Sequence, residues 1–243
     1  MQVLEPNLTI ETARSREEIS GLLKPLEPWR VNVQFSNGFS TKELKTYQPF
    51  TEMPLQKLCF FVKTAGEKPF KKARVLDIGF NAGYNGIALC QHFGCEVVGI
   101  DIAKANLEKA TLLSSLASVS QTLKLEDAQT YIDKDPFDIV LHLGTLYHLR
   151  DPILSMQSAA KNTKPGGYLF LETTIYQAED PLVCKFIFGR NGDKTNFWAL
   201  GPGVVQTILK DAGFNEIKDI KTVVPKSFEG SGLARTLYTA RKR

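Results

Sequence analysis

The chain has 243 residues, of which 43% are hydrophobic and 23% charged, with a formal net charge of +4. This length supports one substantial core with a small appendage at most, and the composition is that of an ordinary globular protein. No run of about 18 uncharged apolar residues is present to span a bilayer, and the charge is too small to imply a nucleic-acid partner by itself.

Met1 to Ser20 carries Glu5, Glu11, Arg14, Arg16, Glu17 and Glu18 where a secretory signal would need an apolar core, so a cytoplasmic protein is expected. Cys59, Cys90, Cys95 and Cys184 form no C-x-x-C pair and there are three histidines. Reduced thiols are expected, and no metal site.

Ser15-Arg-Glu-Glu18 is a capping-box pattern that opens a helix ending near Leu23, after which Pro25 and Pro28 break it. Val31-Asn-Val-Gln-Phe35 alternates as a strand does, and Asn37-Gly38 predicts a tight hairpin turn. Pro54 suits the first turn of a helix through Leu55 to Thr64, with Gly66 and Pro69 marking a connection. Residues 1–70 are therefore read as an N-terminal helix and hairpin region that could act as a lid, with Trp29, Phe35 and Phe39 as lid or core aromatics. The basic run Lys63, Lys68, Lys71, Lys72 and Arg74 reads as a solvated linker, with a phosphate-contacting patch as the alternative.

From Ala73 strands and helices alternate. Val75–Ile78, Glu96–Ile100, Thr122–Leu125, Phe137–Leu143 and Tyr168–Glu172 read as strands. Gly83–Phe93, Ala103–Leu116 and Pro152–Lys161 read as the helices between them, the last with Asp151 as N-cap. Such alternation predicts a parallel sheet with helices on both faces. Val204–Ala212 is a further helix stopped by Gly213. Phe214–Ile220 and Arg235–Ala240 are strands with no helical period between them, which predicts an antiparallel edge on a mostly parallel sheet. Residues 71–243 thus form an α/β domain with a seven-stranded, mostly parallel sheet and an antiparallel last strand.

Asp77-Ile-Gly79-Phe-Asn81-Ala-Gly83 lies between the first strand and the first helix of this domain. Gly79 and Gly83 let the backbone turn sharply at the carboxyl end of the strand, where open α/β sheets bind ligands. The nicotinamide pattern G-x-G-x-x-G fails, because its later positions would be Asn81 and Tyr84. The spacing D-x-G-x-N-x-G resembles instead the first motif of class I S-adenosylmethionine-dependent methyltransferases, with Asn81 in place of the usual middle glycine. Val97-Val-Gly-Ile-Asp101 then ends the second strand in an acid, 22 residues after Gly79, suited to accept both hydroxyls of a ribose.

That resemblance implies a Rossmann-like fold and S-adenosylmethionine as cofactor, held by Asp77, Gly79, Asn81, Gly83, Asp101 and Ile102. By position it extends to Asp127 for the adenine amino group, Ala128 beside the ring, and His142 and Leu143 at the end of the fourth strand.

Leu143-Gly-Thr-Leu-Tyr-His-Leu-Arg-Asp-Pro152, Gly167-Tyr-Leu-Phe-Leu-Glu-Thr173, Thr195-Asn-Phe-Trp198 and Arg235 together resemble the tRNA wobble-uridine 5-oxyacetic acid synthase family and its shorter bacterial relatives, over roughly residues 73 to 243. In that family the residues matching Tyr147 and Arg235 help hold a carboxylated cofactor. The family's long N-terminal helical extension has no room in the first 72 residues, and its Trp and Lys pair has no clear match around Tyr47 to Lys57. An ordinary methyl donor and a different acceptor are therefore expected. The shorter relatives imply a small molecule, either a sugar or a secondary metabolite, with tRNA as the alternative, no membrane partner, and a homodimer left open.

Methyl transfer is an in-line displacement in which the protein aligns the acceptor and removes its proton. An Asp/Asn-Pro-Pro-aromatic motif for amino acceptors is absent. A hydroxyl acceptor needs a base, and His148 is the candidate, with Asp151 three residues on to orient it. Tyr147 is assigned to donor or acceptor. Glu172, Trp198 and Arg235 are expected to contact substrate, with Thr173 and Phe197 beside them. A metal bound by His148, Asp151 and Glu172 is the alternative mechanism.

Overall fold

A computed structural model describes residues 4–47 and 53–243. Residues 48–52, inside the Tyr47 to Lys57 stretch, lie outside the described residues. In chain order the elements are β1 (Leu8–Ile10), α1 (Arg16–Leu23), β2 (Val33–Phe35), α2 (Gln56–Ala65), β3 (Arg74–Ile78), α3 (Tyr84–Phe93), β4 (Glu96–Asp101), α4 (Lys104–Leu116), β5 (Thr122–Leu125), β6 (Phe137–Leu143), α5 (Pro152–Lys161), β7 (Thr163–Tyr176), β8 (Lys185–Phe186), β9 (Trp198–Ala199), α6 (Pro202–Asp211), β10 (Phe214–Val223) and β11 (Leu233–Lys242). Seven strands form the main sheet in the order β10-β11-β7-β6-β3-β4-β5. No described helix is long and apolar enough to cross a membrane. Contacts divide the chain into two compact units, Met1–Ala73 with Phe80–Leu125 and Arg74–Gly79 with Glu126–Arg243.

In the first unit, α1 opens with the expected capping box. Ser15 accepts the Glu18 amide while Glu18 accepts the Ser15 amide, and Ile19 and Leu23, four residues apart, bury one helix face. β2 pairs with β1 in parallel; Leu8-Thr-Ile10 is too short for its alternation to stand out in the sequence. The Asn37-Gly38 turn forms, but its return leg makes a single bridge, Gln34 to Ser40, in place of a hairpin. Trp29, Phe35 and Phe39 are buried in this unit's core, and the Trp29 indole donates to the Leu23 carbonyl at 2.9 Å. The core alternative for these rings is the one the structure takes. α2 begins at Gln56, two residues past Pro54, and ends at Ala65, followed by Gly66, whose φ of 75° suits a residue without Cβ. β4 is buried along Val97–Asp101. The four cysteines are free thiols, and burial pushes Cys90 up to about 11.

In the second unit, β3, β6 and β7 are parallel, and β11 runs antiparallel to both β7 and β10. The connection of residues 224–232 between β10 and β11 is too short for a helical crossover, so the two strands must reverse direction. Lys164-Pro-Gly-Gly167 enters as an irregularity at the start of β7, where Phe137 faces Thr163 but Ile139 already faces Tyr168. Asp151 caps α5 by accepting the Leu154 amide at 2.8 Å, with Pro152 in the first turn. The Arg74 guanidinium pairs with Asp133 at 3.2 Å and stacks 4.0 Å from the Phe137 ring. It therefore serves the core edge, while Lys63, Lys68, Lys71 and Lys72 are exposed.

Candidate active site

The turn after β3 supplies residues to both units. In the second, Asp77 is buried and Gly79 has φ +73°. A Cβ on Gly79 would lie 2.1 Å from Thr145 Oγ1, and that hydroxyl already donates to the Ile78 carbonyl at 3.2 Å. Only glycine fits there. In the first unit, Asn81 and Gly83 both have positive φ, 53° and 74°. Asparagine adopts this region at lower cost than other residues with a Cβ, which accounts for Asn81 at the position where the motif usually has glycine.

Asp101, at the end of β4, is buried and holds this turn. Its Oδ2 accepts the Asn81 amide at 3.0 Å and Asn106 Nδ2 at 3.0 Å, and its Oδ1 accepts the Ala103 amide at 2.9 Å. One acceptor position remains on Oδ1 for a ribose hydroxyl. Ile102 next to it is 79% exposed, a large apolar side chain without a protein covering. Positive-φ backbone, a buried carboxylate with acceptor capacity and an open apolar side chain fit an adenosine-containing cofactor. Asp101→Asn would replace one acceptor by a donor facing the Ala103 N–H and the remaining acceptor position, and is expected to weaken donor binding about tenfold or more, read by calorimetric titration.

Asp127 and Ala128 lie in the second unit. Gln129 donates from its backbone and side chain to the Asp127 carboxylate, at 2.8 and 3.2 Å, and its Oε1 accepts the Asp151 amide. His142 on β6 is fully buried, with Nε2 3.0 Å from Ser155 Oγ, which donates to the Ala128 carbonyl. Burial holds His142 down at about 4, so it stays neutral and ties β6 to α5. Leu143 is half-buried at the strand end.

The second unit also gathers Tyr147, His148, Glu172, Trp198 and Arg235. Antiparallel register sets Arg235 opposite Thr174 on β7, which brings Glu172, two residues along, onto the same face. Arg235 Nη1 donates to Glu172 Oε1 at 3.2 Å, Nη2 donates to the Tyr147 hydroxyl at 2.8 Å, and the guanidinium lies 4.3 Å from the Tyr147 ring. Burial, against the nearby Arg235 charge, keeps the Tyr147 hydroxyl above its ordinary range. It is therefore a neutral phenol and a proton donor.

His148 follows Tyr147 in a 3-10 turn, Leu146–His148. Its Nδ1 lies 2.9 Å from Thr195 Oγ1 and 3.2 Å from the Thr195 carbonyl; Nε2 has no hydrogen-bond partner among the described residues. Burial lowers the His148 pKa below 6.5, opposed by the Asp193 charge. Asp151 does not orient His148, because its carboxylate caps α5; Thr195, and behind it Asp193, take that place. The Asp151 carboxylate caps α5, and the Glu172 carboxylate pairs with Arg235. The Trp198 indole donates to the Arg150 carbonyl at 3.2 Å, and the Phe197 amide donates to the Tyr147 carbonyl at 2.9 Å. Thr173 is buried. Sequence reasoning did not single out Asp193; the Asp-x-Thr spacing of an Asx-turn was its signal.

A mostly parallel sheet with β11 antiparallel between β7 and the edge strand β10, a glycine turn after β3 and an acid ending β4 is the arrangement of the Rossmann-like S-adenosylmethionine-dependent methyltransferases. The chain belongs to the methyltransferase-domain family, whose model matches residues 50–215. It is 36% identical over 110 residues to a ubiquinone biosynthesis O-methyltransferase of Chelativorans sp. (strain BNC1), covering 44% of this chain and 42% of that protein. It is 25% identical over 234 residues to a tRNA U34 carboxymethyltransferase of Idiomarina loihiensis, covering 89% of this chain and 65% of that protein. The chain thus spans 42% to 65% of the length of these curated relatives. In fold it is similar to the N-terminal domain of EvdMO1, crystallised with SAH and D-fucose, at a TM-score of 0.70 and 23% identity over 95% of this chain and 98% of that one.

Proposed function

We propose that the protein methylates a hydroxyl group on a small molecule, a sugar or a secondary metabolite, with His148 as general base. The observation that carries this reading is the His148 ring: Nδ1 is held by Thr195 while Nε2 remains unpartnered among the described residues. A hydroxyl needs such a base because its own pKa lies far above neutral, and a ring held below 6.5 by burial is ready to accept a proton at pH 7. The cofactor would be held by Asp77, Gly79, Asn81, Gly83, Asp101 and Ile102, with Asp127, Ala128 and the backbone of His142 and Leu143 completing its site. When bound, S-adenosylmethionine supplies an electrophilic methyl group on an activated sulfonium. Tyr147 donates a hydrogen bond toward donor or acceptor, Trp198 offers an apolar wall, and Glu172 and Arg235 fix Tyr147. Residues 1–70 serve as the substrate-side region. The similarity to an O-methyltransferase supports a hydroxyl acceptor.

The second reading is tRNA modification with a carboxylated donor, favoured by the similarity that covers 89% of the chain. Against it, Glu172 already neutralises Arg235, so a further carboxylate would meet a negative charge beside its cation. Tight, salt-sensitive tRNA binding would favour this reading.

The test is a screen of hydroxylated acceptors with labelled donor, followed by His148→Ala. Turnover should fall about a hundredfold or more while donor affinity is kept. Full turnover in this variant would exclude the base role.

A further inference from the structure

We infer that Thr195 and Asp193 are positioning residues, a hydroxyl relay that fixes the His148 imidazole in the tautomer a general base requires. This rests on the base role proposed for His148 and deepens it. Thr195 Oγ1 lies 2.6 Å from Asp193 Oδ1 and 2.9 Å from His148 Nδ1. A hydroxyl has one proton, and an ionised carboxylate only accepts. The Thr195 proton therefore points at Asp193, and Oγ1 offers only a lone pair to His148. The Thr195 carbonyl, 3.2 Å from the same nitrogen, can likewise only accept. Both neighbours require hydrogen on Nδ1, which leaves the lone pair on Nε2.

The relay is held in place by its own backbone. The Thr195 amide donates to Asp193 Oδ1 at 2.8 Å, and the Phe197 amide binds the Tyr147 carbonyl, so the segment is docked on the turn that carries His148. The proton leaving an acceptor hydroxyl is taken up at Nε2, and the positive charge this places on the ring is stabilised by Asp193 through Thr195. The charged and titratable groups that act on the ring are Asp193 from this segment, Arg235 from β11 and Glu172 from β7, with the Tyr147 ring 4.1 Å away. Burial and Arg235 disfavour the imidazolium; Asp193 and Glu172 favour it. Removing the Asp193 charge should therefore move His148 to still lower pKa.

NMR of isotope-labelled imidazole nitrogens in the unliganded full chain tests this without knowledge of the acceptor. The expected result is hydrogen on Nδ1 of His148 and a titration displaced to lower pH in Asp193→Asn and in Thr195→Val, with Thr195→Ser behaving as the wild type does. With an acceptor in hand, Asp193→Asn and Thr195→Val should lower kcat about tenfold and shift the acidic limb of the pH profile to lower pH. Hydrogen on Nε2, or a wild-type titration in Asp193→Asn, would overturn the relay. An inactive His148→Ala beside fully active Asp193→Asn and Thr195→Val with unchanged pH profiles sinks the relay alone; a fully active His148→Ala sinks the base reading itself.

Discussion

Gly79→Ala should abolish measurable donor binding in a calorimetric titration and lower stability by about 2–4 kcal/mol in a denaturant melt. Two costs add. At φ +73° an alanine pays for a left-handed backbone that glycine adopts freely, and its Cβ would press on Thr145 Oγ1, 2.1 Å away. Thr145 cannot swing aside without giving up its hydrogen bond to the Ile78 carbonyl, the last residue of β3. The turn must shift, and the backbone proposed to hold the cofactor shifts with it. Adding Thr145→Ala should recover the steric part of the loss, because the hydroxyl and one methyl are gone, but not the backbone part. A Gly79→Ala protein that binds donor and melts as the wild type does would contradict the role of this turn.

Arg235→Met is expected to cost about 3–5 kcal/mol, the usual range for breaking one side of a buried ion pair. Glu172 is 1% exposed and would be left as a buried carboxylate facing a thioether, while the Tyr147 hydroxyl would lose its donor. Glu172→Gln should cost less, since a neutral amide can remain hydrogen-bonded to Arg235. The double variant Arg235→Met, Glu172→Gln should be more stable than Arg235→Met alone, and the cycle gives the pair's coupling from chemical denaturation. Equal stability of Arg235→Met and the wild type would mean that the pair carries no structural weight. Loss of turnover in Glu172→Gln without loss of stability would place Glu172 in the reaction.

Much of the fold was legible because local rules and tertiary packing agree. The capping box at Ser15–Glu18, the Asp151-Pro152 start of α5 and the apolar runs of β3, β4 and β6 are local signals, and each lies where its own chemistry puts it. What was missed is short or non-local. Leu8–Ile10 and the β8–β9 pair are too brief for a period to emerge, and the Asn37-Gly38 turn closes on one bridge because β2 takes its partner from β1. Asp151 was legible as a cap, and that same bond removes it as a partner for His148.

The turn from Asp77 to Gly83 and Asp101 were set by sequence alone, because glycine spacing and an acid at a strand end are properties of neighbours along the chain. The hydrogen-bond partners of His148 were decided only in three dimensions. Thr195 lies 47 residues away, Arg235 lies 88 residues beyond Tyr147, and Glu172 meets Arg235 only through the antiparallel register of β7 and β11. A tautomer and a neutralised charge depend on which atoms sit within about 3 Å, and no spacing in the sequence records that distance.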